Sequence, residues 1–214
     1  MRDGENIRQV AELGVDWIGM IFWPKSPRNV TMIPSHAGII PDRGNLSPLT
    51  SHLSPLRVGV FVDEMAQNII TRVVNYQLDL VQLHGHETPT LIRNLRRTLA
   101  DIRPVKFIKA ISVGSREDIA TYKDYEDCVD YFLFDTKCQT VGGSGNQFDW
   151  SVLDAYDGDL PFLLSGGIGP DDAERVKAFH HPKCIGIDLN SKFEVEPGLK
   201  DVGKLKNFIE KVKS

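Results

Sequence analysis

The sequence predicts an α/β protein of the (β/α)8 TIM-barrel class, a single domain over residues 1–214 with its first strand absent, so that seven strands are expected. Three observations carry this. Short apolar runs alternate with amphipathic segments along the whole chain, the pattern of a parallel sheet covered by helices. Most runs are apolar at consecutive positions, as in strands buried on both faces. Two late strand-to-loop junctions, Phe162–Leu164 into Ser165-Gly166-Gly167 and Cys184–Ile187 into Asp188-Leu189-Asn190-Ser191, place glycine, serine and asparagine where strand carboxyl ends meet helix amino ends. Free backbone N–H groups and a positive helix end there suit a phosphate. In barrels of this class the last two loops often form that site. Gly-Gly after a single strand is ordinary turn chemistry; the two junctions together favour the anion.

Taken in order, Asp3 to Leu13 has Ile7, Val10 and Ala11 on one face and Gly14 as a stop, which predicts a helix. Asp16 to Phe22 reads as a buried strand. Two prolines in Trp23-Pro24-Lys25-Ser26-Pro27-Arg28 then forbid helix and stiffen the loop. From Met32 to Leu56 the pattern is poor: a short helix around Ser35 to Ile40, then loop. Regularity returns with a strand at Arg57–Phe61, a helix at Met65–Tyr76, a strand at Leu80–Leu83 and a helix at Thr88–Leu99. A strand at Val105–Ala110, a helix within Ser115–Tyr125 and a strand at Tyr131–Phe134 ending in Asp135 follow. After a glycine-rich loop, Val141 to Gly145, come a helix near Asp149–Ala155 and the strand at Phe162–Leu164. A helix opened by Pro170-Asp171-Asp172 separates it from the strand at Cys184–Ile187. Pro197-Gly198 divides a one-turn helix from a last helix over Val202–Val212. This gives seven strands and about eight helices, beginning with a helix, where a closed barrel needs eight strands each preceding its helix.

The totals narrow the function classes. A hydrophobic share of 41% with 25% charged residues is that of a soluble globular protein with a real core. A net charge of −4 gives no basic stripe for nucleic acid. No apolar run approaches a membrane span of about 20 residues, and no signal peptide opens the chain. Three cysteines, Cys128, Cys138 and Cys184, have no metal spacing, and a reducing cytoplasm is expected.

Chemistry in barrels sits at strand carboxyl ends, which selects Arg28, Asp63, His84, Asp135, Ser165 and Asp188. Asp135 follows four apolar residues, so its carboxyl should be partly desolvated and its pKa raised, as suits a general acid; the other reading is a loop-tying aspartate. Arg28 is either a solvated surface arginine or a fork for a substrate carboxylate. His84 is either an acid/base or a hydrogen-bonded loop residue. Asp63 reads as the N-cap of the Met65 helix, and Asp188 as a group orienting donors or a sugar hydroxyl. The glycines at 142–145 form either a cradle or a lid hinge. Cys128 and Cys184 read as core or flanking residues, and Cys138 as an inert loop thiol.

The stretches MRDGENI, GMIFWPKSPRNV, RVGVFVDE, VQLHG, FLFDT, GGSGNQFDW, LLSGGIGPDD and GIDLNSKFEVEPGLKD, in this order across nearly all of the chain, resemble the phosphoribosylanthranilate isomerase family of tryptophan biosynthesis. The resemblance implies an Amadori rearrangement of N-(5′-phosphoribosyl)anthranilate to 1-(2-carboxyphenylamino)-1-deoxy-D-ribulose 5-phosphate, with no metal or organic cofactor. It makes Asp135 the acid and gives Arg28 the anthranilate carboxylate. Gln82 and His84 would line the site, with Gly166, Gly167, Gly186, Asp188, Asn190 and Ser191 around the ribose phosphate. Lys192 stands where the family usually carries a small residue, and either alters the helix start or touches the phosphate. In the family a first strand ending in Lys-x-Cys-Gly precedes the methionine matching Met1, and its cysteine is the general base. Neither appears here, so an amino-terminally shortened, impaired isomerase is expected, its edge strands Trp17–Phe22 and Cys184–Ile187 open to another segment or to self-association. The competing readings are another phosphosugar barrel enzyme, for which Lys109 would be the acid of an indole-glycerol-phosphate synthase, and a non-catalytic phosphate-binding barrel.

Overall fold

The computed structural model describes residues 1–31, 55–136 and 149–214. The expectations for the helix at 35–40, the loop beyond it, Cys138 and the glycine-rich loop at 141–145 lie outside these residues.

The chain opens with helix α1 (Gly4–Ala11), capped by the Asp3 carboxylate on the Asn6 N–H and turning Ile7 and Val10 inward. Strand β1 (Trp17–Ile21) follows, and β2 (Leu56–Phe61) pairs with it in parallel. Helix α2 (Ala66–Asn75), strand β3 (Leu80–Leu83), helix α3 (Pro89–Ile102) and strand β4 (Lys106–Val113) repeat the alternation. Thr88 caps α3, with Pro89 in the first turn where its missing N–H costs nothing. The segment within 115–125 is split: α4 (Arg116–Ile119) tightens into a 3-10 turn at Ala120–Asp124. Strand β5 (Tyr131–Thr136) leads to a 3-10 turn at Trp150–Ala155 and strand β6 (Phe162–Ser165). Helix α5 (Ala173–Ala178) and strand β7 (Cys184–Ile187) follow. A single 3-10 turn, Ser191–Phe193, precedes a small antiparallel pair, β8 (Glu194–Glu196) and β9 (Leu199–Lys200), and helix α6 (Val202–Lys213) closes the chain.

Strands β1 to β7 form one parallel sheet in sequence order, the seven strands expected, and β1 is not paired with β7. The sheet curls, with apolar side chains on both faces. Outside, against the helices, lies the larger core, with Phe61, Phe107, Phe132, Phe134 and Phe162 fully buried. Tyr122 and Tyr156 pack edge-on against the β5 and β6 rings. Inside the curl Val58, Leu80, Ile108, Ala110 and Leu133 make a second, smaller cluster, joined by Trp17, Tyr131 and Leu163. Both faces are therefore covered, which is why the strands read as continuous apolar runs.

The open edge of β1 is partly occupied near its carboxyl end. Gly19 O accepts from the Met1 amine, Val30 N–H donates to Ile21 O, and Asn29 bridges Ile21 in parallel. All seven carboxyl ends lie on one rim, so Asp135, Ser165, Asp188 and the loop after β3 are brought to the same side.

Candidate active site

Asp135 is the penultimate residue of β5, facing the interior because Leu133, two residues before it, does so. Its Oδ2 lies 3.3 Å from Nε2 of His84, and both side chains are about 30% exposed. The carboxyl is thus less enclosed than the apolar run before it suggested, and it has an imidazole as partner. His84 stands one residue beyond β3, and its Nδ1 lies 3.2 Å from Gln82 Nε2. With the amide nitrogen on Nδ1, the neutral ring carries its proton on Nε2 and donates to Asp135. One carboxyl oxygen is so occupied, and among the described residues the other has no hydrogen-bond partner.

Ser165, the β6 partner of Asp135 in the sheet register, donates from Oγ to Asp188 Oδ2 at 3.0 Å. Asp188 is thereby turned to a hydroxyl within the rim. Behind Ser165 the chain reverses through Gly166 and Gly167, whose φ angles of +99° and +68° belong to the left-handed region. Among the described residues, the N–H groups of Gly166, Gly167, Asn190 and Ser191 have no hydrogen-bond partner. Gly186 sits in β7 against Leu163, where a Cβ would lie 3.3 Å from its Cδ2. Lys192 bridges the two junctions, its Nζ donating to Gly167 O at 2.6 Å.

Arg28 is not a free surface arginine. Its Nε and Nη2 grip Glu194 at 2.6–2.9 Å. Glu194 is 4% exposed and also faces Lys200 Nζ at 3.4 Å, while Lys200 donates to the backbone and side-chain oxygens of Asn190 at 3.0 Å each. Burial works to raise the Glu194 pKa, but the Arg28 hydrogen bonds and the Lys200 charge outweigh it and hold the carboxyl below its ordinary value. Burial pushes the Lys200 ammonium down. One edge of the Arg28 fork is thus taken, and among the described residues its Nη1 has no hydrogen-bond partner.

Two expectations are corrected. Asp63 does not cap α2: Met65 stands at the cap, and Asp63, at φ +49°, accepts from the N–H of His86. Lys109 does not face the interior as an acid. Its neighbours Ile108 and Ala110 do, and Lys109 points the other way, into a buried cluster. Cys128 and Cys184 fit the core-or-flanking reading, and burial pushes both thiols above their ordinary pKa. Glu194 and Lys200 were missed as site residues, although both lie in the GIDLNSKFEVEPGLKD stretch. Among the described residues no helix is long and apolar enough to cross a membrane.

The family model described as N-(5′phosphoribosyl)anthranilate (PRA) isomerase matches residues 1–211. The N-(5′-phosphoribosyl)anthranilate isomerase of Parabacteroides distasonis is 46% identical over 212 residues, covering 99% of this chain and 90% of the relative. That of Phocaeicola vulgatus is 40% identical, covering 100% and 95%. Among solved structures, phosphoribosyl anthranilate isomerase in complex with reduced 1-(o-carboxyphenylamino)-1-deoxyribulose 5-phosphate superposes with a TM-score of 0.75 at 29% identity, over 100% of this chain and 95% of that one. The Thermotoga maritima enzyme gives 0.76 at 32%, with the same coverage. With a family model spanning almost its whole length and a near relative at 46% identity, this chain belongs to the N-(5′-phosphoribosyl)anthranilate isomerase family.

Proposed function

We propose that this protein catalyses the Amadori rearrangement of N-(5′-phosphoribosyl)anthranilate to 1-(2-carboxyphenylamino)-1-deoxy-D-ribulose 5-phosphate, the isomerase step of tryptophan biosynthesis, with Asp135 as general acid. The observation that carries the assignment is the His84–Asp135 contact on the rim beside the two N–H-rich junctions. Asp135 protonates the ribose ring oxygen, and the C1–O bond breaks as the aryl nitrogen lone pair forms a protonated imine. A base then removes the C2 proton, the imine takes up the electron pair to give an enolamine, and protonation at C1 with loss of the C2 hydroxyl proton yields the ketone. The imine is its own electron sink, so the reading needs no cofactor.

The phosphate would rest on the N–H groups of Gly166, Gly167, Asn190 and Ser191, with Gly186 nearby in β7 and Asp188 oriented by Ser165 toward a sugar hydroxyl. Two peptide junctions meeting one dianion is a favourable arrangement for backbone donors. Arg28 would present its Nη1 end, unpartnered among the described residues, to the anthranilate carboxylate, stiffened from behind by Glu194. Lys192 would exchange Gly167 O for a phosphate oxygen. The 214 residues contain none that matches the family's cysteine, and the buried Cys128 and half-buried Cys184, whose thiols burial pushes up, are poorly suited to proton abstraction. We therefore propose that C2 deprotonation is slow in these 214 residues.

The test is turnover of N-(5′-phosphoribosyl)anthranilate, followed by product chromatography, by the chain as given and by a form carrying a Lys-x-Cys-Gly strand ahead of Met1. The extended form should turn over at least about a hundredfold faster, the size of a general-base contribution. Equal rates would remove the proposal about the base. No turnover by either form would remove the isomerase assignment.

A further inference from the structure

Lys109 and Glu87 are among the most deeply buried ionisable groups of the described residues, their side chains only 4% and 1% exposed, yet the chemistry above uses neither. Their hydrogen bonds converge on the turn that follows β3. Lys109 Nζ meets three acceptors: Leu83 O at 3.2 Å, Gly85 O at 2.6 Å and Glu87 Oε2 at 3.2 Å. Glu87 Oε2 also accepts from the Gly85 N–H at 2.9 Å, and Oε1 accepts from the Asp63 N–H at 2.9 Å. Gly85 is therefore held at both its N–H and its C=O by one ion pair. Asp63 closes the third side, so tightly that a Cβ on Gly85 would lie 2.4 Å from its Oδ1. The residue between the clamped Leu83 carbonyl and the clamped Gly85 is His84, whose own N–H is spent on Phe61 O at 2.8 Å.

Burying two charges costs several kcal/mol unless every donor and acceptor is met, and here the three donors of the ammonium are met by two peptide carbonyls and one carboxylate. A pair placed only to join β3 to β4 would not need to take both peptide groups of one loop residue. We infer that Lys109 and Glu87 are positioning residues: they fix the His84–Gly85 turn so that the imidazole keeps its Nε2 on Asp135. The inference rests on the reading of Asp135 as the acid for its kinetic consequence, but its structural consequence can be measured without substrate.

The experiment compares the parent with Lys109→Met, Glu87→Gln and the double variant. Lys109→Met strands a buried carboxylate and can unfold the chain; Glu87→Gln keeps the volume and an acceptor for Asp63, and the double variant leaves no lone charge. Imidazole 15N spectra, with His84 assigned by its own substitution, should give a single Nε2–H tautomer in the parent and a mixture in every folded variant. In the extended, active form kcat should fall about tenfold or more, as a displaced catalytic group predicts, with KM changed by less than about threefold. A folded Glu87→Gln or double variant with the parent's tautomer and kcat overturns the inference, as does failure of all three to fold, since the pair would then be a stability element alone. An altered tautomer without turnover in any form would leave the clamp standing and remove the isomerase reading instead.

Discussion

Asp135 and Glu194 are both carboxylates on the barrel rim, and their partners divide their roles. Among the described residues Asp135 meets the His84 imidazole alone and remains about 30% exposed, so a proton can reach it. Glu194 is sealed between Arg28 and Lys200 and held as the anion. Replacing Asp135 by Asn should lower kcat of the extended form by about 10²–10⁴, the contribution of a general acid, while calorimetry with the reduced product analogue should find binding within a few fold of the parent. A loss of binding as large as the loss of rate would make Asp135 a ligand rather than an acid. For Glu194 the sign is set by its lowered pKa: its stabilisation is fully present above the unfolded carboxyl value of about 4.3 and is lost as pH falls through the folded value. Glu194→Gln should therefore destabilise the chain by about 3 kcal/mol at neutral pH and by progressively less below about pH 4. Urea melts at pH 7 and pH 3.5 that differ equally in parent and variant would refute this. The strand-end placement of Asp135 and His84 was legible because a polar residue directly after an apolar run marks a strand end. Glu194 and Lys200 were not: two buried charges in a polar, Pro-Gly-containing stretch look like any solvated loop until the fold supplies their partners.

Between strands and helices, most periodic elements were legible to within a few residues, because most strands of the parallel sheet are short apolar runs and helices α1, α3 and α6 carry side-chain caps. What the sequence concealed were elements with no period to read: the 3-10 turns at 120–124 and 150–155, and the β8–β9 pair that seats Glu194 and Lys200. Asp63 was misread for a related reason, since a cap and a cross-loop acceptor have the same local sequence. The β6–α5 junction is the element most sensitive to a single methyl group. A Cβ on Gly166 would lie 2.1 Å from Thr136 O and would also force a left-handed φ on an L-residue. Gly166→Ala should cost at least about 1–3 kcal/mol, or about 2–4 °C of Tm per kcal/mol at this chain length. It should also weaken protection by inorganic phosphate in thermal melts, because Gly167 is displaced with it. An unchanged Tm would mean that the junction relaxes freely, and an unchanged phosphate effect that the anion does not bind there.

Among the described residues the molecule is a curled parallel sheet whose two outer strands do not pair with each other. On β1 the open side is covered only toward its carboxyl end, by Met1, Asn29 and Val30; among the described residues the N–H groups of Trp17 and Gly19 have no partner there. On β7, Ile185 is 53% exposed. Trp17 and Leu163, which pack against the inner cluster, are only half-buried. An unpaired strand edge beside exposed apolar side chains is a template for another strand, and the desolvation of Ile185, Trp17 and Leu163 would favour its docking. We expect this 214-residue chain to associate as its concentration rises. Sedimentation velocity from low to high micromolar protein should reveal growth in mean mass that Ile185→Lys reduces, since a lysine on an edge strand must be desolvated to pair. The same substitution should leave the far-ultraviolet spectrum and Tm nearly unchanged, because an exposed position contributes within about 0.5 kcal/mol to stability. A parent that stays monomeric across the range would mean that the curl of the sheet already shields its edges. Association unaffected by Ile185→Lys would move the contact away from β7 to the helical surface.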